Sequence, residues 1–134
     1  MLKKELKTAT DLARKASVAI LDIYKKGFEV EEKFANKDYS EPVTIADKTS
    51  SKIIVEGLAE AFPEDAILSE EEPDNIERRM EKLRVWIIDP LDGTKGFIER
   101  KDDFAVQIGL VEKGDPILGV VYHPVEDILY FATK

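Results

Sequence analysis

The run from Trp86 to Thr94, with the sequence WIIDPLDGT, constrains the fold of this chain more than any other segment. Its first three residues are apolar and β-prone, so they predict a buried strand. Asp89 and Asp92 follow directly, and two carboxylates about 4 Å apart repel each other by roughly 4 kcal/mol at an effective dielectric constant near 20. A fold that brings them together therefore needs a nearby cation. Mg²⁺, which prefers hard oxygen ligands, fits that need.

Two segments have the apolar spacing of amphipathic helices. In the first, apolar residues recur from Leu2 to Tyr24, and Gly27 is a plausible C-terminal stop. The second begins at Thr44, which is a predicted N-cap with an acid, Asp47, three residues later. Its apolar face continues until Pro63. We expect these two helices to pack side by side.

The rest of the chain is mainly β-prone. Strands are predicted at residues 28–34, 66–69, 85–88, 104–111, 117–123 and 128–132, and the strand at 85–88 is expected to be fully buried. Residues 37–42 are predicted to form a loop, and residues 70–84 a polar loop with a helical turn. Short connections between the last strands favour antiparallel pairing. The predicted class is α+β, with a helix pair packed on an antiparallel sheet.

Composition excludes several kinds of site and partner. The 134 residues fit one domain, and the net charge of −8 disfavours nucleic acid polymers and anionic membranes. With no cysteine and a single histidine, the chain can form neither disulfides nor thiolate or His-rich metal sites. The N-terminal segment lacks the apolar stretch of a signal peptide, and no stretch is long enough to span a bilayer. A cytoplasmic protein is expected.

Four acidic residues are candidates for a functional site: Asp47, Glu70, Asp89 and Asp92. If the strands at 66–69 and 85–88 are neighbours, Glu70 and the aspartate pair converge at one sheet edge. Two divalent cations would neutralise the four charges and attract a phosphate group, an arrangement that recurs in phosphoryl hydrolysis. Gly93 and Thr94 could present backbone N–H groups to that phosphate.

Taken singly, each of these features also has an ordinary structural explanation. Residues 89–93 have the composition of a simple turn. The Glu70–Glu72 run is typical of a solvated loop, and an acid at position 47 is typical of helix capping.

Four segments together resemble the inositol monophosphatase superfamily of magnesium-dependent, lithium-sensitive phosphatases: residues 42–47 (PVTIAD), 68–71 (LSEE), 86–94 (WIIDPLDGT) and 119–122 (GVVY). The resemblance implies the N-terminal half of the αβαβα sugar-phosphatase fold. Residues 1–134 would be the N-terminal metal-binding domain. The family's C-terminal α/β domain, which carries a further aspartate ligand and completes the site, has no counterpart in this sequence.

The resemblance also implies a role for each candidate residue. Metal would be bound by Glu70, Asp89, Asp92 and the Leu91 carbonyl oxygen, with two or three Mg²⁺ ions in the complete enzyme. Thr94 would position the attacking water and Asp47 would orient Thr94, while the N–H groups of Gly93 and Thr94 would contact the substrate phosphate. The implied reaction is direct in-line hydrolysis of a phosphate monoester, without a covalent phosphoenzyme.

The residues after this signature favour one branch of the superfamily. Lys95, Gly96 and Phe97 resemble the 3'(2'),5'-bisphosphate nucleotidases, which act on adenosine 3',5'-bisphosphate, whereas inositol monophosphatases more often carry Asn-Phe there. An inositol monophosphatase or a sugar phosphatase, such as fructose 1,6-bisphosphatase, is the alternative. A non-catalytic half-domain that needs a C-terminal partner is a second alternative. The expected ligand is a small phosphorylated metabolite, and a homodimer is possible.

Overall fold

The computed structural model describes residues 2–27, 30–36 and 39–134. Its helices are α1 (Lys3–Lys26), α2 (Ile45–Ala61), α3 (Ile76–Glu81) and α4 (Thr94–Ile98). Its strands are β1 (Val30–Asn36), β2 (Tyr39–Thr44), β3 (Ala66–Ser69), β4 (Arg84–Asp92), β5 (Ala105–Glu112), β6 (Asp115–His123) and β7 (Ile128–Thr133). In this part of the chain, no helix is both long and apolar enough to cross a membrane.

The two long helices form as predicted and pack closely against each other. Small buried side chains, among them Ala9, Ala13 and Ala16, line the inner face of α1. At Gly57 of α2, an added Cβ would lie 2.3 Å from a methyl carbon of Leu12, so the absence of a side chain permits this close approach. The helix pair lies on one face of the sheet and buries the core there.

The main sheet has five strands in the order β3-β4-β5-β6-β7. The predicted antiparallel pairing holds for β4 through β7, but β3 and β4 are parallel, so the sheet is mixed. The long connection at residues 70–83, which contains α3, makes this pairing possible because it carries the chain back to the end of the sheet where β3 began. Because Ser69 is in register with Ile88, the residues that follow them, Glu70 and Asp89, lie toward the same end of the sheet.

Two further predictions about strands were wrong. Residues 39–42, expected in a loop, belong to β2, which pairs antiparallel with β1 in a separate two-stranded sheet. Residues 28–29, expected in a strand, and 37–38, expected in a loop, lie outside the described residues. The strand at 85–88 is not fully buried, because Ile87 keeps 44% of its surface exposed while its neighbours Trp86 and Ile88 are buried. Among the described residues, helices cover one face of this sheet, and Ile87 lies on the other.

Candidate functional site

The candidate residues meet where three segments come together at one end of the main sheet. These segments are the start of α2, the turn after β3, and the junction of β4 with α4. Between Asp89 and Asp92, β4 advances three residues while the paired strand β5 moves two, from Gln107 to Ala105. This extra residue is a β-bulge. Residues three apart on a regular strand face opposite ways, so the bulge turns both aspartates toward the same side.

Asp47 and Thr94 are joined directly by a hydrogen bond. The Thr94 hydroxyl lies 2.8 Å from Asp47 Oδ1 and 3.1 Å from the carbonyl oxygen of Leu91. Asp47 is only 4% exposed, and its other oxygen, Oδ2, accepts hydrogen bonds from the backbone N–H of Thr44 at 3.0 Å and the Thr44 hydroxyl at 2.6 Å. This capping box anchors the Asp47 side chain, so Thr94 is held by a fixed partner.

The chemistry of the two groups fixes the direction of the Thr94 hydrogen. An ionised carboxylate and a carbonyl oxygen can only accept, so the single hydroxyl hydrogen of Thr94 points toward Asp47 or Leu91. The lone pairs of the Thr94 oxygen are then available to accept a hydrogen bond. A water molecule bound there would donate a hydrogen to Thr94 and keep a lone pair of its own for attack.

The pKa of Asp89 is strongly shifted by its surroundings. Burial raises the pKa of Asp89 from 3.8 to about 7, with further increases from the negative charges of Glu70 and Asp92. The backbone N–H of Leu91 opposes this shift by favouring the charged form. Oxygen Oδ1 of Asp89 is buried and has no hydrogen-bond partner among the described residues. A buried carboxylate oxygen without a hydrogen-bond donor lowers the stability of the folded state. A bound cation would offset this loss.

The raised pKa predicts how stability depends on pH in the metal-free protein. Between about pH 4 and pH 7 the folded state retains a proton that the unfolded state has lost, so Asp89 lowers stability as pH rises through this window. Asp89→Asn removes the effect, and we expect its stability advantage over wild type to be near zero at pH 4 and largest at pH 8. Urea unfolding with a chelator present measures it, and an advantage of equal size at both pH values would contradict the prediction.

Gly93 and Gly96 shape the backbone next to the aspartates. Gly93 adopts a left-handed conformation, with φ +83°, between Asp92 and the first residue of α4. A side chain there would be strained. At Gly96, an added Cβ would lie 2.0 Å from a carboxylate oxygen of Asp103. The Lys-Gly-Phe sequence therefore has a packing reason, because Gly96 admits Asp103 and Phe97 is fully buried.

Three residues that contact this site were missed in the sequence. Ser50 and Ser51, both fully buried on α2, bond to segments on either side of the site. Gln107 on β5 donates from Nε2 to Asp92 Oδ2 at 3.0 Å. The serines lie three and four residues after Asp47, on the same face of the helix, so their spacing could have indicated that they are near the site. No sequence pattern could have indicated Gln107, because its position beside the site depends on strand register.

The donors at this site suit a hard divalent cation. Glu70, Asp89, Asp92 and the Leu91 carbonyl offer oxygen ligands of the kind Mg²⁺ prefers. The buried, unpartnered oxygen of Asp89 is consistent with such an ion. No cluster of three or more His, Cys, Asp or Glu side chains close enough to hold an ion is found within residues 2–27, 30–36 and 39–134. The role of Glu70, Asp89, Asp92 and the Leu91 carbonyl as metal ligands stays a prediction.

Comparison with known proteins identifies relatives along the whole chain. The model of the inositol monophosphatase family matches residues 1–134. A 3'(2'),5'-bisphosphate nucleotidase CysQ from Salmonella typhimurium is 43% identical over 129 residues, which is 96% of this chain and 52% of that protein. The chain thus spans about half the length of the curated relatives it matches.

Solved structures with the same fold include two bacterial proteins. CysQ from Bacteroides thetaiotaomicron superimposes with a TM-score of 0.81 at 39% identity, over 100% of this chain and 47% of that one. The extragenic suppressor protein suhB from Bartonella henselae gives a TM-score of 0.85 at 31% identity, over 96% of this chain and 48% of that one. These values confirm the predicted α+β fold.

Proposed function

The chain belongs to the inositol monophosphatase family, and on that premise we propose that it forms the metal-binding half of a magnesium-dependent phosphate monoesterase. Family membership implies a phosphatase that depends on a divalent metal. The choice of Mg²⁺ rests on the donor set, which consists of oxygen atoms only. Inhibition by lithium and a cytoplasmic location stay predictions of the same proposal.

The observation that carries this proposal is the hydrogen bond between Thr94 and Asp47 beside the buried carboxylate of Asp89. One part of the site can orient a water, because Thr94 has its hydrogen committed to the protein. The other part has a surplus of negative charge and a buried oxygen without a donor. A water-orienting group beside a cation site is the arrangement that hydrolysis of a phosphate ester requires.

Each residue then has a distinct task in the proposed reaction. Thr94 holds the attacking water through its free lone pairs, and Asp47 keeps the Thr94 hydrogen turned away from that water. The N–H groups of Gly93 and Thr94 hold the substrate phosphate. Bound Mg²⁺ would supply the positive charge that offsets the carboxylates and stabilises the transferring phosphoryl group. Glu70, Asp89, Asp92 and the Leu91 carbonyl would hold that charge in place.

We propose that a second half, like the part of the relatives that this chain does not span, completes the site. The open face of the sheet has a groove of about 540 Å³ that runs from Gly119 and Val121 to Glu70 and Asp89. Groups that recognise the substrate beyond its phosphate would come from that second half. The proposed substrate is adenosine 3',5'-bisphosphate, supported by the nucleotidase relative and by the Lys95-Gly96-Phe97 sequence.

A panel of phosphate esters tests the substrate. The chain is assayed alone and with the C-terminal half of the Salmonella relative supplied in trans or by fusion. The substrates are adenosine 3',5'-bisphosphate, inositol 1-phosphate and fructose 1,6-bisphosphate, each with and without lithium. We expect magnesium-dependent phosphate release from the completed protein, fastest with the nucleotide and inhibited by lithium.

Other outcomes of this panel select between the alternatives. Faster release from the inositol or sugar ester would replace the nucleotidase by an inositol monophosphatase or sugar phosphatase. Absence of release from a folded, completed protein that still binds magnesium would favour a non-catalytic half-domain.

A further inference from the structure

Two adjacent serines on α2 make hydrogen bonds with the two segments that carry the candidate metal ligands. Ser50 and Ser51 are fully buried, although hydroxyl groups in a helix interior usually face solvent. The roles proposed above use neither residue. Ser50 contacts the β4–α4 junction, and Ser51 contacts the turn after β3.

Ser50 fixes the peptide group between Pro90 and Leu91. Its hydroxyl donates to the Pro90 carbonyl oxygen at 2.7 Å, and both atoms are buried. The N–H of that same peptide group belongs to Leu91 and donates a hydrogen bond to the carboxylate of Asp89. Because a peptide group is planar, fixing its oxygen also fixes the direction of its N–H. Ser50 therefore acts on Asp89 through a single rigid group.

Ser51 holds both ends of the turn that contains Glu70. The backbone N–H of Glu72 donates to the Ser69 carbonyl at 3.2 Å, which closes a turn with Glu70 at its second position. The Ser51 hydroxyl lies 2.8 Å from the Ser69 hydroxyl and 3.3 Å from Glu72 Oε1. An ionised Glu72 can only accept, so Ser51 donates to Glu72 and Ser69 donates to Ser51. The turn is thus fastened to α2 at its first and fourth residues.

We propose that Ser50 and Ser51 are positioning residues that set the separation between Glu70 and Asp89, and through it the affinity for magnesium. This inference rests on the proposed function. Both serines are on one helical turn, so the two ligand segments share a single rigid support. Partners that orient ligating side chains from behind typically change metal affinity by about 10–100-fold when they are removed.

Calorimetric titration of the chain with magnesium chloride alone tests the proposal. We expect Ser50→Ala and Ser51→Ala each to weaken magnesium binding by about 10-fold or more. Ile54→Val is the matched control, because Ile54 is fully buried on the same helix one turn later and contacts no ligand segment by hydrogen bond. This substitution lowers stability by about 0.5–1.5 kcal/mol, and we expect it to leave the affinity unchanged.

A second control separates the loss of a buried hydroxyl from the loss of its contact. Ser17 on α1 is also buried, but its hydroxyl has no hydrogen-bond partner in the part of the chain that the structure describes. We expect Ser17→Ala to bind magnesium like the wild type. Thermal melts establish that every variant is folded, and if Ser50→Ala is not, Ser51→Ala carries the test.

Different outcomes would overturn the positioning role of the serines and the proposed function. If the wild type binds magnesium and both serine variants bind it equally well, the positioning role is overturned while the proposed function stands. A positioning role is also overturned if Ile54→Val weakens binding as much as the serine variants, because a general loss of stability would then explain the effect. If the wild type binds no magnesium, the proposed function fails as well.

Discussion

Asp47→Asn is expected to lower the turnover of the completed enzyme by roughly 10²-fold, the order of loss that follows when a reacting group is misplaced. Asparagine keeps the shape of the side chain but has only one accepting oxygen. If that oxygen caps α2 through Thr44, the amide NH₂ faces Thr94. It then donates to the Thr94 oxygen, so this hydroxyl loses its carboxylate acceptor and becomes a weaker hydrogen-bond acceptor for the attacking water. The defect should appear in kcat, with little change in KM.

Steady-state phosphate release from the chain completed with a relative's second half measures this loss. Thr94→Ser is the matched control, since it keeps the hydroxyl that bonds to Asp47 and should retain most of the turnover. A melting temperature close to that of wild type shows that the start of α2 is still capped, because the side-chain oxygen of asparagine can accept from the Thr44 N–H as Asp47 does. An Asn variant as active as wild type would remove Asp47 and Thr94 from the catalytic assignment.

Asp92→Asn should abolish most of the stabilisation that magnesium gives to the chain. At a magnesium concentration 100 times the dissociation constant, the wild type gains about 2.7 kcal/mol in the free energy of unfolding. A 100-fold loss of affinity would reduce that gain to about 0.4 kcal/mol at the same concentration. The loss is expected because the Asp92 carboxylate is exposed, so an ion can reach it, and because a hydrogen bond from Gln107 orients it. Urea unfolding with and without magnesium gives both values.

Asp115→Asn provides the control for the change in net charge. Asp115 is exposed at the beginning of β6. The strand register places it at the end of the sheet where β4 begins, which is the end far from Asp89. It should gain as much from magnesium as the wild type does. If Asp92→Asn is stabilised equally, Asp92 does not bind the ion.

Much of the fold could be predicted because local signals agreed with one another. The Thr44 capping pattern and the spacing of apolar residues predicted both long helices, and the run from Trp86 to Thr94 predicted strand β4 and its aspartates. The parallel pairing of β3 with β4 could not be predicted, because a long connection permits either direction. Nor could the exposure of Ile87, since composition does not reveal which face of a sheet the helices cover.

The candidate site could likewise be predicted only in part. The acidic residues and Thr94 were found from their sequence pattern, and the structure places Asp47 and Thr94 in contact. Contacts that depend on tertiary geometry were not found. The Ser50 and Ser51 bonds require α2 to cross over both ligand segments, and the Gln107 bond requires the bulge in β4.

Calorimetric titration of the 134-residue chain with magnesium at pH 8, above the pKa of Asp89, tests the central claim most directly. The claim is that the carboxylates of Glu70, Asp89 and Asp92 are held close together because a divalent cation offsets their repulsion. We predict saturable binding in the wild type that is strongly weakened in Asp89→Asn and unaffected in Asp115→Asn. Heats that do not saturate, or equal binding by the wild type and Asp89→Asn, would contradict it.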